Sequence, residues 1–310
     1  MTAPTTRCEP EGRWRDLARV HRLEYPLPIH YLCYSLWGAC YGAGAGERLI
    51  DVPVLLAVMA NLLSPVAMNV LNGVIDVRTD ARTPDKRAAA AAMRRLGAGR
   101  ALWWAALEMA LSLVLGAVIS VWTGHWLAIT AVGLMVALHV LYNIEPVRLK
   151  RRGFVNPVTL GAAFGFLPCV VSCAAVRADI PISLWLIFAG LGVSVTGRAL
   201  WWMVPDRAGD AATGVTTLAV RHGTHRTILL SGLVALFGLG LLGAGLWLRY
   251  GPVWATVGMA AGVIFVIGQL AVLPGASDRA LPSSARMRRH NMTPMMAANV
   301  VLAALPLAAR

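Results

Sequence analysis

Three stretches of this chain, residues 102–121, 181–200 and 253–273, each run for about 20 positions with at most one charged side chain. That is the length an α-helix needs to cross a hydrocarbon core of roughly 30 Å. The stretches are apolar all round, whereas the strands of a membrane β-barrel alternate apolar and polar residues, so a barrel is excluded. With 57% hydrophobic and 14% charged residues, far below the charged share of about 25% usual in soluble domains, a soluble enzyme and a secreted disulfide scaffold are excluded too. The sequence predicts an all-α polytopic membrane protein.

Apolar runs between polar breaks give nine expected transmembrane helices, at about 27–45, 52–75, 101–121, 126–144, 155–176, 182–203, 227–248, 252–273 and 291–309. Short hinges (123–125, 177–179, 249–251) alternate with longer polar stretches (76–100, 145–154, 204–226, 274–290). The N-terminus and these long stretches hold most of the Lys and Arg, leaving Arg48, Arg177, Arg249 and Arg310 for the other side. The positive-inside rule then makes the N-terminal segment 1–26 and the long loops cytoplasmic, and nine spans put the C-terminus outside. Residues 1–310 read as one transmembrane domain of a bacterial cell membrane. The net charge of +13 is accounted for by orientation and by attraction to anionic lipid headgroups, so no nucleic-acid partner is expected. Residues 1–22 lack an apolar h-region, and no removable signal peptide is expected. Four of the five cysteines (Cys33, Cys40, Cys169, Cys173) fall in expected spans without CxxC spacing and read as small buried apolar residues.

With only 15 Asp and Glu in the chain, their clustering is informative. Asn72, Asp76 and Asp80 stand at i, i+4 and i+8, on one helix face, where the second span reaches the cytoplasm. Asp206 and Asp210 stand at i, i+4 where the sixth does. An even number of spans separates the clusters, so both belong to the same membrane face. Like charges at i, i+4 repel unless a cation lies between them. An all-oxygen set of this kind suits Mg²⁺, which prefers one or two carboxylates plus waters and phosphate oxygens. Lys86 and Arg87 follow the first cluster, Arg148 and Lys150 occupy the loop between spans four and five, and Arg198 and Arg207 flank the second cluster. Acids interleaved with bases point to a metal-bridged polyanion, phosphate foremost. Small residues such as Gly161, Ala162, Ala163 and Gly165 leave room between helices for an apolar tail. Trp103, Trp104, Tyr142, Trp201 and Trp202 supply aromatic faces near the acids, although an interfacial belt also explains the tryptophans. Glu108, midway along the third span, has no evident partner in the sequence.

Residues 72–87, with Asn72, Asp76, Asp80, Lys86 and Arg87, resemble the first aspartate-rich motif of the UbiA superfamily of intramembrane prenyltransferases. Residues 205–223, with Asp206, Asp210, Gly214, Thr217, Arg221 and Gly223, resemble its second motif, and residues 142–153, with Tyr142, Arg148 and Lys150, its tyrosine-and-lysine loop. The chain departs from the family where Gly73, Met203 and Ala208 stand at positions that often carry an acid. The resemblance implies a UbiA-like helical bundle around a central cavity. It further implies an Mg²⁺-dependent prenyl transfer from an isoprenyl diphosphate to an aromatic or other lipophilic acceptor through an allylic carbocation.

By the same resemblance, Asn72, Asp76, Asp80, Asp206 and Asp210 hold two Mg²⁺ ions, and Lys86, Arg87, Arg148 and Lys150 bind the diphosphate. Tyr142 stabilises the cation through its ring face. A terpene cyclase of the same superfamily is the alternative; some cyclases replace the middle Asp of the first motif, and the presence of Asp76 favours transfer. An ion-coupled transporter would instead hold its acids at the midplane in discontinuous helices.

Overall fold

The computed structural model describes residues 12–23, 27–43, 49–82, 86–212, 214–271, 273–275 and 284–309; Cys8, Arg48 and Arg310 lie outside them. Twelve α-helices follow one another among these residues, with no strand: α1 (Arg13–Val20), α2 (Leu27–Ala43), α3 (Val52–Asp80), α4 (Arg87–Leu96), α5 (Ala98–Thr123), α6 (Leu127–Asn143), α7 (Val155–Gly161), α8 (Leu167–Ala174), α9 (Ile182–Ala212), α10 (Leu218–His222), α11 (Thr224–Leu270) and α12 (Ser284–Ala308). A π-helical turn, Ala162–Phe166, joins α7 to α8. Five helical stretches are long and apolar enough to cross a membrane, namely α3, α5, Val155–Ala174, α9 and α11, and two further apolar helices, Leu127–Asn143 and Pro294–Ala308, are shorter.

Each expected apolar segment lies largely within a helix, but the helix ends differ from the hydropathy ends. The second and sixth segments were expected to stop near 75 and 203, whereas α3 and α9 continue to Asp80 and Ala212. Hydropathy marks where the chain leaves the lipid, and the backbone hydrogen bonds that define a helix need not stop there. The seventh and eighth segments are two arms of α11, broken at Gly251 (φ 81°, ψ −179°) and Pro252. Glycine tolerates that positive φ, and proline lacks the N–H that would continue the ladder. The stretch 76–100, read from sequence as a polar loop, contains α4, whose Ala90, Ala92 and Met93 are buried. Cys33, Cys40, Cys169 and Cys173 are free and buried.

Helices α9 and α11 meet along a seam where backbone touches backbone. A Cβ on Gly190 would lie 2.7 Å from the Gly238 carbonyl oxygen, and one on Gly238 would lie 2.8 Å from that of Gly190. Close approach lets Ser231 Oγ donate to the Gly197 carbonyl at 2.8 Å, and Trp201 Nε1 donates to the Gln269 carbonyl at 2.9 Å. Small residues are how helices associate in lipid, where no hydrophobic drive separates tail from side chain. The seam fixes the helix that ends in the second acidic cluster. Replacing Gly238 with Val should therefore lower the detergent-solubilised melting temperature, by overpacking of about 1–3 kcal/mol. The same change at Gly240, whose Cβ position meets nothing within 4 Å, should leave the melting temperature nearly unchanged.

Candidate active site

The C-terminal ends of α3 and α9 converge, as a single side chain demonstrates. Lys86 Nζ donates to Asp206 Oδ2 at 2.9 Å and lies 3.8 Å from Asp80 Oδ1, so one ammonium bridges the two acidic clusters. The basic loop after α6 pairs with the rest of the first cluster. Lys150 Nζ donates to Asn72 Oδ1 at 3.1 Å and to Asp76 Oδ2, while Arg148 Nη2 approaches Asp76 Oδ1 at 3.4 Å. Burial opposes the charge on Lys86, but Asp206 and Asp80 more than offset it and raise its pKa. At Lys150 burial prevails over the attraction of Asp76, and the pKa is lowered.

These groups line one cavity of about 290 Å³. Asn72, Asp76, Asp80, Lys86, Tyr142, Arg148, Lys150, Asp206 and Asp210 all face it. Arg87 does not; it is exposed at the first turn of α4, one residue beyond Lys86, where the change into helix turns it outward. Sequence reasoning missed Arg22, Arg151, Thr79, Asn156 and Thr217, which also line the cavity. Of the aromatic candidates, Tyr142 and Trp202 face it, Trp201 is buried against α11, and Trp103 and Trp104 are exposed as an edge-to-face pair. Leu160, Ala199 and Met203 complete an apolar wall.

Local chain chemistry explains each placement. α9 ends at Ala212, the chain reverses at Gly214 (φ 72°), and Val215 N–H returns to the Asp210 carbonyl at 2.9 Å. Thr217 then caps α10, accepting from Val220 N–H at 3.5 Å, and Gly223 (φ 84°) ends it. The spacing of Gly214, Thr217 and Gly223 in the second motif is thus the geometry of one tight return that folds Thr217 back over the Asp210 side chain, with which it hydrogen-bonds. Tyr142 OH donates to Asn156 Oδ1 at 3.1 Å, and Asn156 Nδ2 donates to the Lys150 carbonyl at 2.7 Å, which ties the ring to the basic loop. Of the positions that depart from the family pattern, only Met203 lines the cavity. Gly73 instead faces α4, where a Cβ would lie 2.8 Å from Met93 Cε. Asn69 Nδ2 donates to Tyr31 OH at 2.8 Å.

The donor set is all oxygen where cations already sit among carboxylates, and this fits Mg²⁺. Among the described residues no three His, Cys, Asp or Glu side chains form a ready-made metal cluster. Five cationic side chains against four carboxylates line the cavity, leaving a surplus of a single positive charge. A diphosphate, with roughly three negative charges, would need additional cations beside it there.

Residues 31–292 match the UbiA prenyltransferase family. The chain belongs to that family. It is an integral membrane prenyltransferase. It is 26% identical over 247 residues to a 4-hydroxybenzoate octaprenyltransferase of Pseudomonas aeruginosa, covering 79% of this chain and 78% of the relative. It is 29% identical over 269 residues to one of Xanthomonas campestris, covering 84% and 82%. Its fold is that of a UbiA homologue from Archaeoglobus fulgidus bound to GPP and Mg²⁺ (TM-score 0.72, 16% identity, 95% of this chain and 99% of that one). An apo UbiA homologue from Aeropyrum pernix shares it as well (TM-score 0.66, 17% identity, 90% and 98%).

Arg22 reaches the cavity from just beyond the C-terminus of α1, a helix held in place by charged contacts. Asp16 accepts two bonds from Arg95 of α4, at 2.8 and 2.6 Å. His21 Nε2 lies 3.0 Å from Glu108 Oε1, and His21 Nδ1 lies 2.7 Å from the Leu17 carbonyl. Burial opposes the imidazolium, but the Glu108 hydrogen bond, the Leu17 carbonyl and the Glu108 charge outweigh it, so the His21 pKa is raised. A raised folded-state pKa contributes stability fully present below the unfolded value, about 6.5, and lost as pH rises through the folded value. Amide exchange of residues 12–23 should therefore accelerate between mildly acidic and alkaline pH beyond the intrinsic rate. The excess should vanish in His21→Gln.

Proposed function

We propose that this protein transfers an isoprenyl group from an isoprenyl diphosphate to an aromatic or other lipophilic acceptor. The observation that carries the reading is the Lys86 bridge between Asp80 and Asp206, which draws the two acidic helix ends around one cavity. Asn72, Asp76, Asp80, Asp206 and Asp210 would hold Mg²⁺, two ions in the fullest case. When bound, the metal supplies the positive charge that a departing diphosphate requires. Lys86, Arg148 and Lys150, with Arg151 beside them, bind the diphosphate oxygens; Arg87, exposed on α4, is left to orientation in the membrane.

Cleavage of the C–O bond leaves an allylic carbocation that water would quench. The apolar wall of Leu160, Ala199, Trp202 and Met203 excludes water from it. Tyr142, buried and tied to Asn156, presents its ring to the cavity and stabilises the cation through the π face. A carbon nucleophile of the acceptor then attacks. The presence of Asp76 in the first motif supports transfer over cyclisation. The Pseudomonas and Xanthomonas relatives bear the name of an enzyme that acts on 4-hydroxybenzoate, and this supports an aromatic acceptor. The same reading takes residues 1–310 as one UbiA-like unit in a bacterial cell membrane. Its N-terminal segment 1–26 and the cavity loops face the cytoplasm and its C-terminus lies outside, as the distribution of Lys and Arg directs.

The test is turnover of C10, C15 and C20 allylic diphosphates by purified protein in liposomes, with lipophilic acceptors, in Mg²⁺ or EDTA, and products identified by mass. Mg²⁺-dependent prenylated product is expected, and Asp76→Ala or Asp210→Ala should abolish it while leaving a folded, inserted protein. A cyclic hydrocarbon as sole product, or wild-type-like turnover by either variant, would overturn the assignment.

A further inference from the structure

Helix α1 ends in a Schellman turn whose left-handed position is occupied by an arginine. Leu23 N–H donates to the Ala18 carbonyl at 2.8 Å and Arg22 N–H to that of Arg19 at 3.1 Å, the paired bonds that define this cap. Glycine is the usual residue at such a position because it has no Cβ penalty, yet here Arg22 carries φ 53°. A non-glycine residue in that region is strained and persists only where its surroundings impose it; such residues cluster at functional sites.

The surroundings here are specific. Val20 is buried with Ala67, Val70 and Leu71 of α3, Met93 of α4, and Ala101 and Ala105 of α5. The next residue, His21, is held at 3.0 Å by Glu108 of α5. Glu108 stands ten residues into α5, on the order of 15 Å along it, and its Oε2 is buried with no hydrogen-bond partner among the described residues. A carboxylate so placed is expensive, and ionisable residues inside membrane helices mark function. The residue that follows His21 is Arg22, whose side chain lines the cavity with Asp76, Lys86 and Lys150.

We propose that Glu108 is a positioning residue. Through His21 it fixes the strained turn that aims Arg22 into the cavity, where the Arg22 guanidinium binds the diphosphate of the substrate. The inference rests on the diphosphate chemistry of the proposed function and adds two residues to it. It also accounts for an arginine where glycine would cap the helix at less cost.

The test is equilibrium binding of geranyl diphosphate with Mg²⁺ to the purified full chain in detergent, alongside melting temperature. Arg22→Gly should weaken binding about tenfold, the loss of a charge-assisted contact, while the melting temperature holds or rises because the left-handed strain is relieved. Glu108→Ala should weaken binding to a similar extent, and Glu108→Gln, whose amide oxygen can still accept from His21, should restore most of it. Combined Arg22→Gly and Glu108→Ala should bind no more weakly than Arg22→Gly alone, because both changes remove one contact. Additive losses, or an unchanged affinity in Arg22→Gly, would overturn the inference while leaving the proposed function intact. Failure of the wild type to bind the diphosphate would overturn both. Should Glu108→Ala not fold, His21→Ala takes its place: it should weaken binding to the same extent, and an unchanged affinity would overturn the positioning role.

Discussion

Alternation of charge at the ends of two long helices is the constraint on which this structure turns. Four carboxylates brought within one cavity would repel, and their desolvation would be costly without partners. The chain answers with ammonium and guanidinium groups delivered from separate segments, Lys86 from the start of α4 and Arg148 and Lys150 from the loop after α6. Each cation reaches acids on another element, so the arrangement exists only when α3, α9 and the basic loop are docked together. The same alternation leaves both carboxylate oxygens and basic side chains turned into one cavity, the arrangement on which the proposed metal and diphosphate binding rests.

The rest of the bundle positions that charge pattern. Glycine contacts let α9 lie directly on α11, and the return through Gly214 to Thr217 folds the end of the second motif over Asp210. On the opposite side, α4 covers the face of α3 that carries Gly73, so that a position often acidic in the family here holds no side chain and meets Met93. The chamber walls next to the charges are then apolar, from Leu160 on α7 and Ala199, Trp202 and Met203 on α9.

Much of this was legible in the sequence because it is local. Acids at i, i+4 share a helix face whatever the tertiary structure, and apolar length alone announces a membrane helix. Contacts between distant segments left no such signal. His21 and Glu108 are far apart in the chain and meet only when α1 tucks beside α5, so Glu108 looked partnerless and Arg22 looked like one more orienting charge. Lys86 and Arg87 are adjacent and chemically alike, yet one bridges the acidic clusters and the other is exposed, because a helix begins between them. Helix α4 escaped notice since its buried face is made of alanines and Met93, which carry little hydropathic contrast within a basic stretch. The break at Gly251 was read as a polar hinge between two spans, and it is a hinge one residue wide.

The bond from Tyr142 to Asn156 has a bearing on proton inventory. Substitution on an aromatic carbon must expel one hydrogen ion, and the phenol's own hydrogen is already committed to an amide oxygen. No histidine faces the chamber among the described residues. In the proposed transfer to an aromatic acceptor, the groups placed to take that proton are then the cavity aspartates, Lys150 in its neutral form and the diphosphate leaving group.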